Sequence, residues 1–329
     1  MTGTDPVALL GAHLRDDMEQ VTALIRRHMQ SENAPRIPEV TAHLVEAGGK
    51  RVRPLLNLAA ARLLGYTGKA HLGLAATVEF IHTATLLHDD VVDESSQRRG
   101  RPTANLLWDN KSSVLVGDFL FARSFMMMVE AGSMEALRIM AQAATTLAEG
   151  EILQMGAAQN LATDEATYTR IIRYKTAALF SAATESGAVL AGATPAQRQA
   201  LVDFGDALGI CYQLVDDYLD YAGSDPALGK QVGTDFIGGK VTLPVILAYH
   251  AGGEDERAFW QRCLEKGQRE EADLAQAMGL LRCHGALEAT RERAREQSGR
   301  ARAALESLPP HPLRDLLDDL TLMLETRVS

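Results

Sequence analysis

The chain has 329 residues, of which 46% are hydrophobic, and carries a formal net charge of −10 at pH 7. This is ample apolar material for a large buried core, whereas the acidic balance argues against bulk attraction to nucleic acid or to anionic lipid headgroups. The three cysteines, Cys211, Cys263 and Cys283, lack Cys-x-x-Cys spacing, so we expect helix-packing thiols and a cytoplasmic location rather than a disulfide framework.

Apolar residues recur at intervals of three and four along nearly the whole chain, which predicts helices almost everywhere. Neither a signal-peptide pattern nor an apolar run of the roughly 18 residues that a membrane span needs is found, so we expect no transmembrane segment. No short repeat or linker composition divides the chain. The sequence therefore predicts one all-α domain over residues 1–329, an antiparallel helical bundle.

Turn residues predict where several helices begin. Pro54 stands where the first residue of a helix would, directly after the glycine-rich basic turn 48–53. Ser133 and Thr194 are predicted N-caps, and residues 163–165 also predict the start of a helix. The segment 222–239 contains five glycines and a proline, which predicts a mobile loop rather than a helix.

The first informative motif closes the apolar stretch Glu79–Asp93. Asp89 and Asp93 are four residues apart and share one helix face with His82 and Thr85, which precede them. Two carboxylates stacked at the end of an apolar helix repel each other, and desolvation adds to that cost. A cation is therefore expected beside them.

The same Asp-Asp-x-x-Asp pattern returns at Asp216, Asp217 and Asp220, with Gln213 preceding it on the same face. One such cluster alone is typical of a solvated helix end. Two copies, each closing an apolar helix, indicate a site for Mg²⁺ or Mn²⁺, because both ions prefer hard oxygen ligands. Magnesium commonly completes its coordination with phosphate oxygens, so the pattern predicts a joint site for metal and diphosphate.

Basic residues follow or precede both acidic clusters, as a diphosphate site requires. Arginine offers a forked pair of donors to phosphate, and lysine offers a point charge. Each residue alone is typical of a solvated surface, and only their joint occurrence points to a site. The residues are Lys50, Arg51, Arg53, Arg98, Arg99, Lys175, Lys230 and Lys240.

Together these motifs resemble the trans-prenyl diphosphate synthases over nearly the whole chain. The matching elements are Gly-Gly-Lys-Arg-x-Arg-Pro at 48–54, the first aspartate motif with its Arg-Arg-Gly tail at 89–100, Lys175-Thr176, the second motif with Gln213, and Gly-Lys-x-Thr-Leu-Pro at 239–244. The resemblance implies a helical bundle of the isoprenoid synthase type around a deep cavity, and a homodimer. The aspartate motifs would face each other across the cavity mouth.

The resemblance also implies a role for each residue. Three Mg²⁺ ions would bind with substrate, Mn²⁺ being an alternative, held by Asp89, Asp90, Asp93, Asp216, Asp217 and Asp220. Isopentenyl diphosphate would be bound by Lys50, Arg53, His82 and Arg99. The allylic diphosphate would be bound by Arg98, Lys175, Thr176, Gln213, Lys230 and Lys240. The groups that act most directly on bond cleavage would be Asp89, Asp93, Asp216, Lys175, Lys230 and Lys240.

Product length is predicted from the residues deeper than Asp89. Short-chain members of the family block the growing tail with bulky aromatics near this point, whereas Ala84 and Thr85 are small. A floor built from Phe125, Met128 and Met140 is expected, although such a stripe is equally typical of plain core packing. The implied product is octaprenyl to decaprenyl (C40–C50), typical of quinone side chains, with transient membrane contact for its release.

Three alternatives remain open from the sequence. A class I terpene cyclase has a similar helical cavity but no isopentenyl diphosphate site. The basic residues of this chain favour such a site and so favour the condensing enzyme. A di-iron carboxylate bundle would use Glu79-x-x-His82, but a second such element is missing. A non-catalytic subunit that only stabilises a partner synthase often loses an aspartate motif, and here both motifs are intact.

Overall fold

The computed structural model describes residues 5–46, 49–98, 100–223 and 232–328. Helices dominate these ranges, and the one pair of strands found in them is a hairpin of β1 (Gln97–Arg98) and β2 (Arg101–Pro102). The all-α prediction is confirmed. The helices are α1 (Pro6–His13), α2 (Arg15–His28), α3 (Arg36–Glu46), α4 (Val52–Leu63), α5 (Ala70–Val92), α6 (Ala104–Leu107), α7 (Asn110–Glu130), α8 (Met134–Ala157), α9 (Glu165–Ile172), α10 (Ala178–Leu190), α11 (Pro195–Ala222), α12 (Thr234–Ile237), α13 (Leu243–Ala251), α14 (Glu254–Trp260), α15 (Asp273–Cys283), α16 (Ala286–Glu306) and α17 (Pro312–Thr326).

The chain divides into two compact units. Unit one consists of Met1–Ala144, Leu179–Val202 and Ser307–Leu317, and unit two consists of Thr145–Ala178, Asp203–Glu306 and Asp318–Ser329. The first aspartate motif belongs to unit one and the second to unit two. The prediction of one domain over residues 1–329 stays a prediction.

Unit one is organised around α5, whose apolar sequence is buried along most of its length. Helices α2, α4 and α7 pack against it. The contact between α4 and α10 is specified by Asn57, which donates from Nδ2 to the carbonyl of Ala183 at 3.0 Å and to Oγ of Ser186 at 2.9 Å. A buried amide with partners of this kind fixes how two helices meet, because a shift would leave it unsatisfied.

Unit two contains a buried aromatic cluster. Phe236 stacks on Phe259 at a centroid distance of 6.5 Å, and its edge meets Trp260 at 6.1 Å. Tyr221, at the end of α11, is 1% exposed and belongs to the same core. Tyr221, which directly follows the second aspartate motif, and Phe236 are therefore anchored by apolar burial.

Several predicted helix starts are confirmed. Ala136 donates to Oγ of Ser133, and Gln197 donates to Oγ1 of Thr194. The side chain of Asp164 caps α9. Pro54 is the third residue of α4 instead of the first, since the helix begins at Val52. A proline is tolerated there because the first N–H groups of a helix lack partners in the helix itself.

The prediction of a mobile loop over 222–239 is wrong at both ends. Helix α11 includes Ala222, and Thr234–Ile237 form the short helix α12, packed through the buried Phe236. Residues 224–231, with Lys230, lie outside the described part of the chain. Cys211 and Cys263 are buried as expected, whereas Cys283 is exposed, so the packing prediction is wrong for that thiol.

Helix α7 is long and apolar enough to cross a membrane by length and composition alone, and no other described helix is. A core helix of a globular protein meets the same criterion. Of its most apolar stretch, 39% is buried in the structure.

Candidate active site

The first aspartate motif ends α5, and its three carboxylates lie in different environments. Asp89 is half-buried and Asp93 is exposed, whereas Asp90 is 1% exposed. Arg98 donates from Nε to Oδ1 of Asp90 at 2.9 Å, and its Nη2 lies 2.8 Å from the same oxygen. The β1–β2 hairpin carries Arg98 back to the helix end. Asp89 and Asp93 therefore remain accessible, while Asp90 neutralises an arginine inside unit one.

Arg98 was predicted to bind the allylic diphosphate and Asp90 to bind metal; neither role is tested by this ion pair. Two of the five N–H donors of Arg98 point at Asp90, which leaves others for a ligand. Asp90 also accepts through its backbone carbonyl, from Nδ2 of Asn105 at 3.2 Å. Arg99, the next residue of the motif, lies outside the described residues.

A small cavity of about 50 Å³ in unit one lies beside this motif. Its lining includes Arg51, Glu79, His82, Asp90 and Arg98. Of the predicted isopentenyl diphosphate residues, His82 borders the cavity directly, and Nη1 of Arg53 lies 3.1 Å from Nε2 of His82. Lys50, on the same basic turn, lies 3.5 Å from Asp5. The predicted residues Arg53 and His82, 29 positions apart in the sequence, thus contact each other in the structure.

The basic turn is held by contacts on several sides. The guanidinium of Arg53 stacks over the ring of Phe180 at 4.5 Å. Nη1 of Arg51 donates to Oγ1 of Thr22 at 2.6 Å. Arg51 has φ +47°, a left-handed conformation that costs a residue other than glycine about 1–3 kcal/mol. Such strain persists only where the surroundings enforce it.

The second aspartate motif forms a continuous hydrogen-bonded chain in unit two. Tyr168 donates from its hydroxyl to Oδ2 of Asp217 at 2.5 Å. Gln213 donates from Nε2 to Oδ1 of Asp217 at 2.8 Å, and its Oε1 accepts from Thr176 at 3.0 Å. Thr176 and the pair Gln213 and Asp217, predicted from two separate motifs, therefore belong to one network.

Burial raises the pKa of Asp217 to about 8, and repulsion from Asp235 and Asp216 adds to this effect. The hydrogen bonds from Tyr168 and Gln213 act in the opposite direction and favour the carboxylate. A buried acid among other acids is electrostatically costly unless a cation neutralises it. The cluster is thus suited to a nearby positive ion.

Asp220 is also buried and is satisfied by the start of α12. It accepts hydrogen bonds from the hydroxyl of Thr234 and from the backbone N–H of Asp235, the latter at 2.9 Å. Lys240 lies 3.6 Å from Asp235. Of the second motif, Asp216 alone is exposed, so Asp216 has the most accessible carboxylate for a ligand.

Lys175 lies in a π-helical turn, Arg173–Ala177, and its Nζ is 2.8 Å from Oε2 of Glu151. The backbones of α8 and α11 approach this turn closely at positions where each helix has a glycine. A Cβ at Gly150 would stand 2.6 Å from the nitrogen of Lys175, and one at Gly209 would stand 2.5 Å from Cα of Ala177. The position of the π turn and of Lys175 therefore requires residues without a side chain at 150 and 209.

Sequence reasoning did not identify Glu151 or Tyr168. The only local signal for Glu151 is the sequence Glu-Gly-Glu at 149–151, which places a second carboxylate directly after a glycine within α8. Nothing in the local sequence around Tyr168 indicates that it reaches Asp217, 49 positions away.

The predicted chain-length residues differ in exposure. Ala84 and Met140 are 0% exposed and Met128 is 1% exposed, so all three are embedded in unit one. Thr85 is half-buried, and Phe125 is 45% exposed. Among these five positions, Thr85 and Phe125 present surface that a ligand could contact, while the role of all five stays a prediction.

The donor set fits magnesium better than a metal bound entirely by protein. Among the described residues, no group of three or more histidine, cysteine, aspartate or glutamate side chains is preassembled for a metal. Accessible carboxylates instead occur singly or in pairs, at Asp89, Asp93 and Asp216. Magnesium takes one or two carboxylates and completes its shell with water and phosphate oxygens. A di-iron centre at Glu79 and His82 finds no support in the described ranges.

Comparison with known proteins identifies the family. A family model described as Polyprenyl synthetase matches residues 34–281. The chain belongs to the polyprenyl synthetase family. This match covers both aspartate motifs, the basic turn and Lys175, and it confirms that the chain is a prenyltransferase enzyme.

Individual relatives agree with the family. The chain is 44% identical to an octaprenyl diphosphate synthase of Escherichia coli (strain K12) over 301 residues, which is 92% of this chain and 93% of the relative. Its fold is similar to that of a decaprenyl diphosphate synthase from Rhodobacter capsulatus, with a TM-score of 0.95, 62% identity and coverage of 98% and 99% of the two chains. A polyprenyl synthase from Caulobacter crescentus CB15, solved with calcium and isoprenyl diphosphate, has a TM-score of 0.93 and 47% identity and covers 100% of this chain and 99% of that chain.

Proposed function

We propose that this member of the polyprenyl synthetase family condenses an allylic diphosphate, farnesyl or geranylgeranyl, with successive isopentenyl diphosphates. The product is a long trans-polyprenyl diphosphate of C40–C50. The observation that carries the proposal is the network that joins Thr176, Gln213 and Asp217, beside Lys175. These four residues were assigned to diphosphate and metal from separate motifs, and they occur together in unit two.

On the allylic side, cationic residues stabilise the negative charge that develops on the leaving diphosphate. Lys175, Lys240 and Arg98 supply donors, with Lys230 added from the segment outside the described ranges. Mg²⁺ held by Asp89, Asp93 and Asp216, when bound, supplies Lewis-acid stabilisation of the same charge. Asp90, Asp217 and Asp220 support these positions from within each unit. The C–O bond of the substrate then breaks and leaves an allylic cation.

On the isopentenyl side, Lys50, Arg53, His82 and Arg99 hold the second diphosphate. The hydrogen bond of Arg53 with His82, its stacking on Phe180 and the cavity beside His82 support this assignment. The double bond of isopentenyl diphosphate, held alongside, attacks the cation, and a proton leaves to the departed diphosphate. Proximity of two oriented substrates supplies much of the rate.

Product length is proposed from the relatives and from the small residues before Asp89. Two of the relatives reported above are named as an octaprenyl and a decaprenyl diphosphate synthase. Thr85, half-buried on the face of Asp89, leaves room where an aromatic residue would not. A quinone side chain is the use that we propose for a product of this length.

A homodimer is proposed from the exposed face of α7. Leu115, Met126 and Val129 are 66%, 50% and 67% exposed, and their spacing places them on one side of the helix. An apolar stripe of this kind favours association with a second copy. A cytoplasmic location, with membrane contact only as the product leaves, is part of the same proposal.

The test is incubation of the purified protein with Mg²⁺, farnesyl diphosphate and labelled isopentenyl diphosphate, followed by mass analysis of the products. Label should appear in prenyl diphosphates of C40–C50, and a metal chelator should abolish it. Conversion of the allylic substrate without incorporation would instead indicate a terpene cyclase. Binding of both substrates without turnover would indicate a subunit that needs a partner.

A further inference from the structure

We infer that Arg51 is a further binding residue for the diphosphate of isopentenyl diphosphate, and that Thr22 of α2 is the residue that positions it. The inference rests on the proposed function. The sequence places Arg51 among the basic residues near the acidic clusters, but the family resemblance gives neither Arg51 nor Thr22 a substrate and implies Lys50, Arg53, His82 and Arg99 for this role.

Arg51 is the residue of the basic turn 50–53 whose side chain lines the cavity. Lys50 lies against Asp5, Arg98 against Asp90, and Arg62 against Asp17. In the described part of the chain, no carboxylate lies within ion-pair distance of Arg51. Its bond to Thr22 is to a neutral hydroxyl and uses one of five N–H donors. A guanidinium that lines a cavity with its charge uncompensated is suited to a phosphate group.

Thr22 fixes this arginine through a short relay. Its hydroxyl donates to the carbonyl of Met18 at 2.8 Å, which directs the oxygen lone pairs toward the incoming donor from Arg51 at 2.6 Å. Ile25, one turn further along α2, and Met29, which follows the end of the helix, line the same cavity. Helix α2 therefore provides both a wall of the cavity and the acceptor that orients the arginine.

Because of the backbone conformation at Arg51, a glycine substitution can distinguish a role of its side chain in substrate binding from a role in stability. Its left-handed conformation is one that glycine adopts without strain, so stability alone does not favour arginine there. Arg51→Gly should keep or raise the melting temperature. If the side chain binds substrate, the same change should nevertheless weaken isopentenyl diphosphate binding.

The experiment is titration calorimetry of isopentenyl diphosphate into the full-length protein and into R51G, T22V and T22S. Thr169→Val is the matched control, because Thr169 is also half-buried and its hydroxyl donates to the carbonyl four residues earlier, but no arginine bonds to it among the described residues of unit two. We expect a rise in Kd of roughly 10- to 100-fold for R51G, as for loss of a charged hydrogen bond, and of about 2- to 10-fold for T22V. T22S and T169V should match the wild type, and so should the affinity of all variants for the allylic diphosphate.

Wild-type Kd values for R51G and T22V would overturn the inference, as would equal weakening of both substrates or a failure of T22S to restore affinity. Because binding is measured without turnover, this outcome is distinguishable from failure of the proposed function. If the wild type binds isopentenyl diphosphate but forms no condensation product, the proposed function fails while the Kd series still decides the role of Arg51.

Discussion

The hydroxyl of Tyr168 lies 2.5 Å from Oδ2 of Asp217 and donates a hydrogen bond to that buried side chain. Tyr168 belongs to α9 and Asp217 to the second aspartate motif on α11. The hydrogen bond therefore connects the second aspartate motif to the helix that leads directly into the π turn of Lys175. The orientation of the second motif depends on residues outside it.

Tyr168→Phe should destabilise the protein and its second motif. The change leaves one oxygen of a buried carboxylate without its donor, which costs about 1–3 kcal/mol. Denaturant unfolding of the variant should show this loss, together with reduced turnover. Tyr249→Phe is the control, since no hydrogen bond of the Tyr249 hydroxyl is found among the described residues, and it should stay within about 0.5 kcal/mol of the wild type. Equal stability of the two variants would contradict the role given to Tyr168.

Gly209→Ala should perturb the π turn. The added Cβ would stand 2.5 Å from Cα of Ala177, a backbone atom that cannot move aside alone, and overpacking of this kind costs about 1–3 kcal/mol. Gly299→Ala, on α16 with open space around its Cβ, should instead stabilise by about 0.4–1 kcal/mol. Thermal unfolding checks both, and Gly209→Ala should also weaken allylic diphosphate binding because Lys175 shifts.

Stability should fall in acid through a buried cluster in unit one. Burial lowers the pKa of His71 below its ordinary value of 6.5, with Asp17 acting against this shift. The pKa of His71 is therefore lower in the folded chain than in the unfolded chain. Between these two values the unfolded chain binds a proton that the folded chain does not, so the free energy of unfolding decreases as the pH falls through about 6.5.

The acidic partner of that cluster extends the effect. Burial alone would raise the pKa of Asp17, but hydrogen bonds from Arg62 and His71 outweigh it and lower the pKa. The stabilisation from Asp17 is therefore present above pH 3.8 and is lost as the pH falls below it. Urea unfolding between about pH 7 and 5 should show the histidine step, and in His71→Asn that step should shrink. If the fall in stability were unchanged in His71→Asn, a group other than His71 would be responsible for it.

Thr85→Phe should shorten the product. The side chain lies one turn before Asp89 and is half-buried, so an aromatic ring there would occupy space that the growing chain needs. Ala84, the other small residue predicted to border the growing chain, has no exposed surface, so a phenylalanine there would overpack unit one. Mass analysis of products from Thr85→Phe and from the control Thr85→Ser checks this. An unchanged length distribution would refute the predicted path.

Val129→Glu should weaken the proposed homodimer. A carboxylate on the exposed stripe of α7 would be buried at low dielectric if a second copy covered it, which is unfavourable without a partner. Light scattering coupled to gel filtration should detect monomers at concentrations where the wild type is a dimer. Val129→Ala, which keeps the face apolar, should remain dimeric. A monomeric wild type would end this proposal.

Much of the fold was predictable because its information is local. Helical periodicity and the caps at Ser133, Asp164 and Thr194 are determined by a few neighbouring residues, and the structure confirms them. The start of α4 was misplaced by two residues because proline is accepted anywhere in the first turn of a helix.

The motifs were predictable, but the contacts between them were not. Aspartate spacing placed Asp89 and Asp93 on one face, whereas the burial of Asp90 against Arg98 depends on the hairpin that returns from α5. The pairing of Lys175 with Glu151, and of Arg51 with Thr22, brings together residues that are distant in sequence. Periodicity contains no information about such pairs, because they are decided by how helices pack.

The central claim is that both aspartate motifs bind metal ions around a single allylic diphosphate. A crystal structure with Mg²⁺ and an allylic thiolodiphosphate, which resists ionisation, tests it most directly. We predict metal ions on that diphosphate ligated by Asp89 and Asp93 and by Asp216, with Lys175 donating to its oxygens. A diphosphate bound with metal by one motif alone, the other motif lying remote from it, would contradict the account.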